Sequence, residues 1–481
     1  MKRSHSSPYH ANDVCRRDFL RAAGTAAFGM ALSPLLIPRS AFAHMDATSL
    51  ATVGIADTTT TAADAYDVAA VKAKVQALFE AIGGISDIVR TDSKVAIKIN
   101  LVGGSGSASS AALKGVPITE AMWTHPAVMR VVAELLVDAG VSPGNITIVE
   151  ALWDTGTNAP FGATDTFGFT AAKNAIGCQF INLSAAAPYP DLATVTTGAP
   201  YHNFASFSMN RILTEVDTYI SIPKLKHHYE NGFSGSLKNQ VGIVPVTGYT
   251  LPSNTGNRSA LHSADGGSST LYLPRSVCDL NKARPVHLAV IDGIRNATGG
   301  EGVWNPTFAP ARRHALIVGK DPVATDTIGA QLMGLDAEAA TIPLPKGGGA
   351  TCDNHLALLN ARGAGTNKRS EITLTGDGTH LVTSVAERAT GLPHDSYRLL
   401  PNFPNPFNPA TRITYTVPRN GHVSLSIFSV TGARIQVLTD EEHAAGDHQV
   451  VWTPEALPSG TYFCRMQADG FSETIKLLYV R

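Results

Sequence analysis

Lys224, Lys226, His227 and His228 crowd into five residues, and Lys238-Asn239 follows ten residues after His228, beyond a Gly/Ser turn. Alternation along an extended chain puts Lys224, Lys226 and His228 on one face and His227 on the other. Ammonium groups that converge on one pocket repel, so the arrangement requires an anion or a set of carboxylates among them. A phosphate, a carboxylate or an anionic cofactor is the natural guest. The plain alternative is a solvated basic loop, against which the interleaved Pro223, Leu225 and Gly232 argue. Lys98 stands inside the apolar run 95–102, where an ammonium is costly unless it reaches water, a partner or an anion. Asn100 shares its face. On this reading a Lys98→Met change leaves stability little altered, or raised, and weakens ligand binding. Asp292 closes the run 288–291, and Asp326 lies five residues after Asp321, whose place before Pro322 marks a helix N-cap. Together with His228, Asp292 and Asp326 make a candidate catalytic set for proton transfer or for a hard metal, whose identity the spacing leaves unknown. The candidate ligand-binding set is Lys98, Asn100, Lys224, Lys226, Lys238 and Asn239.

The elements that must position these groups read as α/β. A helix is expected over 64–82 from the spacing of Val68, Val71, Val75, Leu78 and Phe79, then a buried strand at 95–102 ending in the Gly/Ser-rich loop 103–110. A helix over 125–139 with Pro at its first turn and a strand at 146–149 complete a βαβ step, which implies a mostly parallel sheet with helices on both faces. Further strands are expected at 179–183, 218–222, 286–291 and 315–318, with helices at 169–176 and 322–333 and another opening near Ser234. Residues 44–63, rich in Ala, Thr and Ser, read as a mobile leader. The segment 246–273 is too long for a simple connection and reads as a lid or an insertion. The loop 343–353 holds Lys346-Gly347-Gly348-Gly349, which lacks phosphate-loop spacing and reads as flexible. After Pro393 the composition changes to short alternating strands punctuated by Asn420-Gly421, Thr431-Gly432, Ser459-Gly460 and Asp469-Gly470, the pattern of a small all-β, immunoglobulin-like sandwich. The expected division is therefore 1–43 export signal, 44–63 leader, 64–392 α/β domain, 393–402 linker and 403–481 sandwich.

With 481 residues, 44% hydrophobic and 16% charged, the chain has apolar material for more than one core. Removing residues 1–43 takes the formal charge from −1 to −5, which offers no global attraction to nucleic acid. Cys178, Cys278, Cys352 and Cys464 show no CxxC spacing, so no zinc ribbon and no iron–sulfur cysteine motif is written here, and the cofactor stays unknown. Four lone thiols are the simplest reading.

Three stretches resemble known families. Arg16-Arg17 before an apolar run to Ala43, interrupted by Gly24, Gly29 and Pro34 and closed by Ala41-Phe42-Ala43, resembles a twin-arginine signal peptide, cleaved near His44. That resemblance implies the twin-arginine translocase as a partner, passage through the periplasm, and no transmembrane span in the mature chain. The tail, with Pro404-Asn405-Pro406-Phe407-Asn408-Pro409, Gly432, Ser459-Gly460-Thr461-Tyr462 and Lys476, resembles the type IX secretion C-terminal sorting domain; its sandwich is also similar to the module of flagellar hook-capping proteins. The sorting resemblance implies type IX machinery as a partner and a cell-surface or extracellular destination. The segments 95–102, 125–150, 221–228, 236–242, 291–294 and 319–326 are similar, in order, to the family called domain of unknown function 362. Many of its relatives resemble iron–sulfur proteins through an added Cys module that this chain lacks.

Two function classes follow. One is an enzyme acting on a small anionic ligand or cofactor held by the lysines, with His228, Asp292 or Asp326 moving protons or holding a cation. The other is an exported binding protein that captures the anion without turnover.

Overall fold

The run 95–99 becomes a central strand because both of its faces are covered, which is why it alternates so little. A computed structural model of the chain describes residues 50–480 apart from 60, 103–110, 153–160, 162–164, 166, 185–190, 253–257, 265–269, 387–396, 400, 401, 403, 404, 406, 445, 455 and 456. The expected export signal, the first residues of the leader (44–49), most of the linker and the loop 103–110 lie outside the described residues. The α/β part contains β1 (Ala51–Asp57), α1 (Val68–Ala81), β2 (Val95–Ile99), α2 (Pro126–Asp138), β3 (Ile146–Glu150), α3 (Phe169–Ile176), β4 (Gln179–Asn182), β5 (Thr218–Ile222), β6 (Lys224–His228) and β7 (Gly232–Ser234). It continues with α4 (Tyr272–Ala283), β8 (Leu288–Thr298), β9 (Ala309–Gly319), α5 (Pro322–Leu332), α6 (His355–Asn360) and β10 (Ile372–Thr375).

Eight strands run in the order β10-β1-β9-β8-β5-β2-β3-β4, with β6 and β7 attached beyond β8. The pairs β8–β5, β5–β2, β2–β3 and β3–β4 are parallel, whereas β9 runs antiparallel to β8 and β1. One face is covered by α1, α2 and α3 through Val75, Val128, Leu136 and Phe169, the other by α4, α5 and α6 through Val277, Leu280, Ile328 and Leu356. From β2 the chain proceeds to β3 and β4 on one side, while β5 and β8 lie on the other. The order therefore reverses at β2, where open α/β sheets form a crevice at the carboxyl ends of their strands.

Several expectations need correction. Ala51–Asp57 is not part of a leader: it is a strand between β9 and β10. Its small residues hide the strand pattern, and Gly54 is required there because a Cβ would stand 3.1 Å from Leu78 Cδ2 of α1. No helix opens near Ser234. Gly232–Ser234 pairs with β6, and a short 3-10 helix, Lys238–Ile243, follows. The segment 246–273 holds short helices at Val246–Tyr249 and Ser259–His262, and the Lys346 loop is the tip of a hairpin, Thr341–Pro343 with Thr351–Asp353. The strands expected at 286–291 and 315–318 extend into the eleven-residue β8 and β9, and this extra length gives β6 a partner.

The tail forms two antiparallel sheets, one of Arg398–Leu399, Thr411–Val417 and Gly446–Trp452, the other of Arg434–His443, Gly421–Ser429, Gly460–Ala468 and Phe471–Tyr479. They share a core of Phe407, Ile413, Ile427, Trp452, Cys464 and Leu477. The Pro/Asn-rich opening has a clear task. Asn405 donates to Lys476 O and accepts from Leu478 N, and Phe407 exchanges backbone bonds with Leu478 and Val480, so the segment is stitched to the last strand. In the Ser-Gly-x-Tyr turn, the Tyr462 hydroxyl donates back to Pro458 O at 2.7 Å, closing the corner from which the strand Gly460–Ala468 starts. Cys178, Cys278, Cys352 and Cys464 are free and buried. Among the described residues no helix is long and apolar enough to cross a membrane.

Candidate functional site

The carboxyl ends of β2, β3 and β5 bring together most of the residues singled out from sequence. Lys98 is fully buried near the end of β2. Its ammonium meets Glu150 Oε1 at 3.0 Å and donates to Ile99 O at 2.6 Å and Asn239 Oδ1 at 3.0 Å. Glu150, at the end of β3, also accepts from Leu101 N and Ala151 N. Burial pulls Lys98 below the ordinary lysine range while Glu150 opposes it, and every donor of this ammonium is matched. Asn239 is locked by its own amide, which donates to Lys98 O and Ser221 Oγ. Lys98 and Asn239 are therefore a structural wall.

β6 continues past Pro223 beyond the end of β5 and carries the lysine run outward. Lys224 pairs with Asp292 Oδ2 at 2.5 Å and donates to the Tyr66 hydroxyl at 2.9 Å and Arg295 O at 3.1 Å. Asp292 also accepts from the Tyr66 hydroxyl and from His125 N, and Tyr66, at φ 58°, stacks on the His125 ring at 3.7 Å. The carboxylate is saturated, so the expected role of Asp292 as base or cation ligand is corrected: it neutralises Lys224. Asp326 is likewise committed. Its oxygens accept from Ser236 N at 2.6 Å and Leu237 N at 2.9 Å, and it packs so close to Gly235 that a Cβ there would stand 2.5 Å away. Burial raises its carboxyl to about 7 against those two donors. Asp326 clamps the backbone that leads into Lys238; it does not join Asp292, and no metal-holding group of His, Cys, Asp or Glu occurs among the described residues.

Lys226 differs from both neighbours. It is 1% exposed, and its ammonium donates to Asn100 Oδ1 at 2.8 Å and Met122 O at 2.6 Å, two neutral acceptors. Among the described residues no ion pair compensates its charge. Burial holds it well below the usual lysine range, Lys238 and Lys224 push it further, and Glu301 and Glu150 act against them. Lys238 is half-buried, opens the 3-10 helix and makes no hydrogen bond or ion pair among the described residues. Desolvation of its recessed ammonium, together with Arg258 and Lys98, lowers it to about 8, with Glu301 opposing.

Three histidines line the same region. His228 Nδ1 accepts from Glu230 N at 3.1 Å, which leaves the proton of the neutral ring on Nε2. Burial, Lys238, His262, Lys226 and His355 all keep the His228 ring neutral. His355 is buried, with Nδ1 3.2 Å from Asn231 Nδ2, and burial followed by Lys238 depresses it to about 3. His262 lies 3.7 Å from Glu230. His227 points the other way, as alternation requires: Nδ1 accepts from Gly299 N and Nε2 donates to Met333 O. Sequence reasoning missed Glu150, Tyr66, Arg258 and His355. Arg258 is buried, donating to Val244 O and Ala151 O from within the segment expected to be a lid or insertion. Nothing in the periodicity marks these four, because each meets its partners across the sheet rather than along the chain.

Residues 95–331 match the family described as Domain of unknown function (DUF362), and residues 402–480 match the Secretion system C-terminal sorting domain. The α/β part and the tail are thus each similar to a described family, in that order along the chain. It is 23% identical over 283 residues to the thylakoid-associated protein sll1697 of Synechocystis sp., covering 58% of this chain and 74% of that protein. Among solved structures it is similar to the lactate racemase apoprotein from Thermoanaerobacterium thermosaccharolyticum at 16% identity and a TM-score of 0.30; the match covers 62% of this chain and 58% of that one. The sorting domain supports export toward the cell surface or the extracellular space.

Proposed function

We propose that the DUF362 domain binds a small anionic ligand in the crevice between Lys226 and Lys238 and acts on it, with the neutral His228 ring carrying a proton at Nε2. The observation that carries this reading is the Lys226 ammonium: fully buried, held by two neutral oxygens and lacking a carboxylate partner. Burial pushes this amine toward its neutral form, and an anion arriving beside it offsets the desolvation and favours the charged form. Lys98 and Lys224 already have their carboxylates, so the site is narrower than the lysine run and centres on Lys226, Lys238, Asn100 and His228. Catalysis is favoured over capture because a ring whose tautomer is fixed by a backbone bond exceeds what holding an anion requires. Export by the twin-arginine route, through the periplasm and then the type IX machinery, is part of the same proposal. It rests on Arg16-Arg17 and on the tail.

The test is proton linkage. Lys238 falls to about 8 without ligand, and a bound anion favours its charged form, so binding takes up protons. Titration calorimetry with inorganic phosphate in two buffers of different ionisation enthalpy should show that uptake, with affinity falling as pH rises through about 8. Binding without proton exchange and with a flat pH profile contradicts the reading.

A further inference from the structure

Four lysines gather around the carboxyl ends of β2 and β5, and the tips of three are held by protein partners. Lys98 is tied to Glu150, Ile99 O and Asn239; Lys224 to Asp292, Tyr66 and Arg295 O; Lys226 to Asn100 and Met122 O. Lys238 has a free tip on a fixed base. Its backbone is entered through Ser236 and Leu237, both clamped by Asp326, and its neighbour Asn239 is bolted to Lys98 and Ser221. An amine on a clamped backbone, recessed near Lys98 and Arg258 and without an ion-pair partner among the described residues, is the arrangement that favours a nucleophilic lysine.

We propose that Lys238 forms an imine with a small carboxylate that bears a carbonyl group, a 2-oxo acid being the simplest member of the class, with Lys226 holding the carboxylate and His228 supplying a proton to the departing oxygen. The inference rests on the anion site proposed above and names its substrate class. The neutral Lys238 amine gives its lone pair to the carbonyl carbon, forming the C–N bond, and the carbonyl oxygen takes up a proton to give the carbinolamine. The C–O bond then breaks, the oxygen leaves as water with a second proton, and the nitrogen has lost both hydrogens of its neutral amine. Amine and carbonyl give imine and water, with no change of oxidation state.

Because Lys238 titrates near 8, a useful fraction of free amine exists at neutral pH, whereas an exposed lysine holds very little. The experiment is reductive trapping of the mature chain with pyruvate and cyanoborohydride, read by peptide mass spectrometry, beside thermal unfolding with inorganic phosphate. The expected result is a reduced adduct on Lys238 formed at least tenfold faster than on the exposed Lys368, suppressed by phosphate, and rising with pH to a plateau above about 8. Lys238→Arg, which has no nucleophilic amine, should lose the adduct. Labelling of lysines in proportion to their exposure, or no Lys238 adduct while phosphate still stabilises the parent, overturns the imine and leaves the anion site standing. Absence of both signals overturns both.

Discussion

Lys98 and Lys226 show how far residue type alone reaches. Both are lysines among apolar neighbours, and both were expected to line the crevice. The structure separates them by partner: Lys98 has Glu150, and Lys226 has two neutral oxygens. The consequence reverses the expectation for Lys98→Met. Removing that ammonium strands a buried carboxylate, so the variant should lose about 3–5 kcal/mol of stability, with part recovered in the Lys98→Met/Glu150→Gln double variant. Urea unfolding of the parent and the two variants checks this; an unchanged single variant means that Glu150 is held by its backbone donors alone. The shared face of Lys224, Lys226 and His228 was legible because alternation is local. Glu150 was not, since its meeting with Lys98 depends on β3 lying beside β2.

At the scale of elements, the strands with dense apolar runs, β2, β3 and β5, and the helices with strong caps, α2 and α5, stand where the sequence pattern expects them. Asp321 caps α5 through Val323 N and Ala324 N, and His125 caps α2 through Ala127 N. β1 was hidden because Ala51, Gly54, Ala56 and Asp57, of types depleted in strands, interrupt Thr52, Val53 and Ile55, and tertiary pairing decides its state. The 3-10 helix 238–243 was misread for a related reason: its backbone follows Asn239 and the crevice wall rather than propensity. Gly242 is its most exacting residue. A Cβ there would stand 2.4 Å from Glu150 Oε1 and 2.7 Å from Lys98 Nζ. Gly242→Ala should therefore wedge the helix away from the ion pair and cost about 1–3 kcal/mol, although its φ of −83° suits alanine. A Gly242→Ala chain as stable as the parent by chemical denaturation shows that the wall yields without loss.

At the scale of the whole molecule, an α/β part with a buried lysine cluster is followed by a sandwich whose match to the secretion sorting family supports export. The sandwich was legible down to its turns because each strand is short, alternating and punctuated. The proposed entry to the export route rests on the paired guanidiniums. Changing Arg16 and Arg17 to Lys should leave precursor in the cytoplasm, seen by fractionation; export as efficient as the parent's assigns the chain to another route. The central claim, that the crevice is an anion site built on the uncompensated Lys226, is tested most directly by thermal unfolding of the mature chain with and without inorganic phosphate, parent against Lys226→Met. The variant keeps the stem's volume and deletes a charge that has no carboxylate to abandon, so its unliganded stability should equal or exceed the parent's. Its phosphate affinity should fall at least tenfold, a loss of about 1.4 kcal/mol in ligand-induced stabilisation. Equal stabilisation of parent and variant by phosphate contradicts the account.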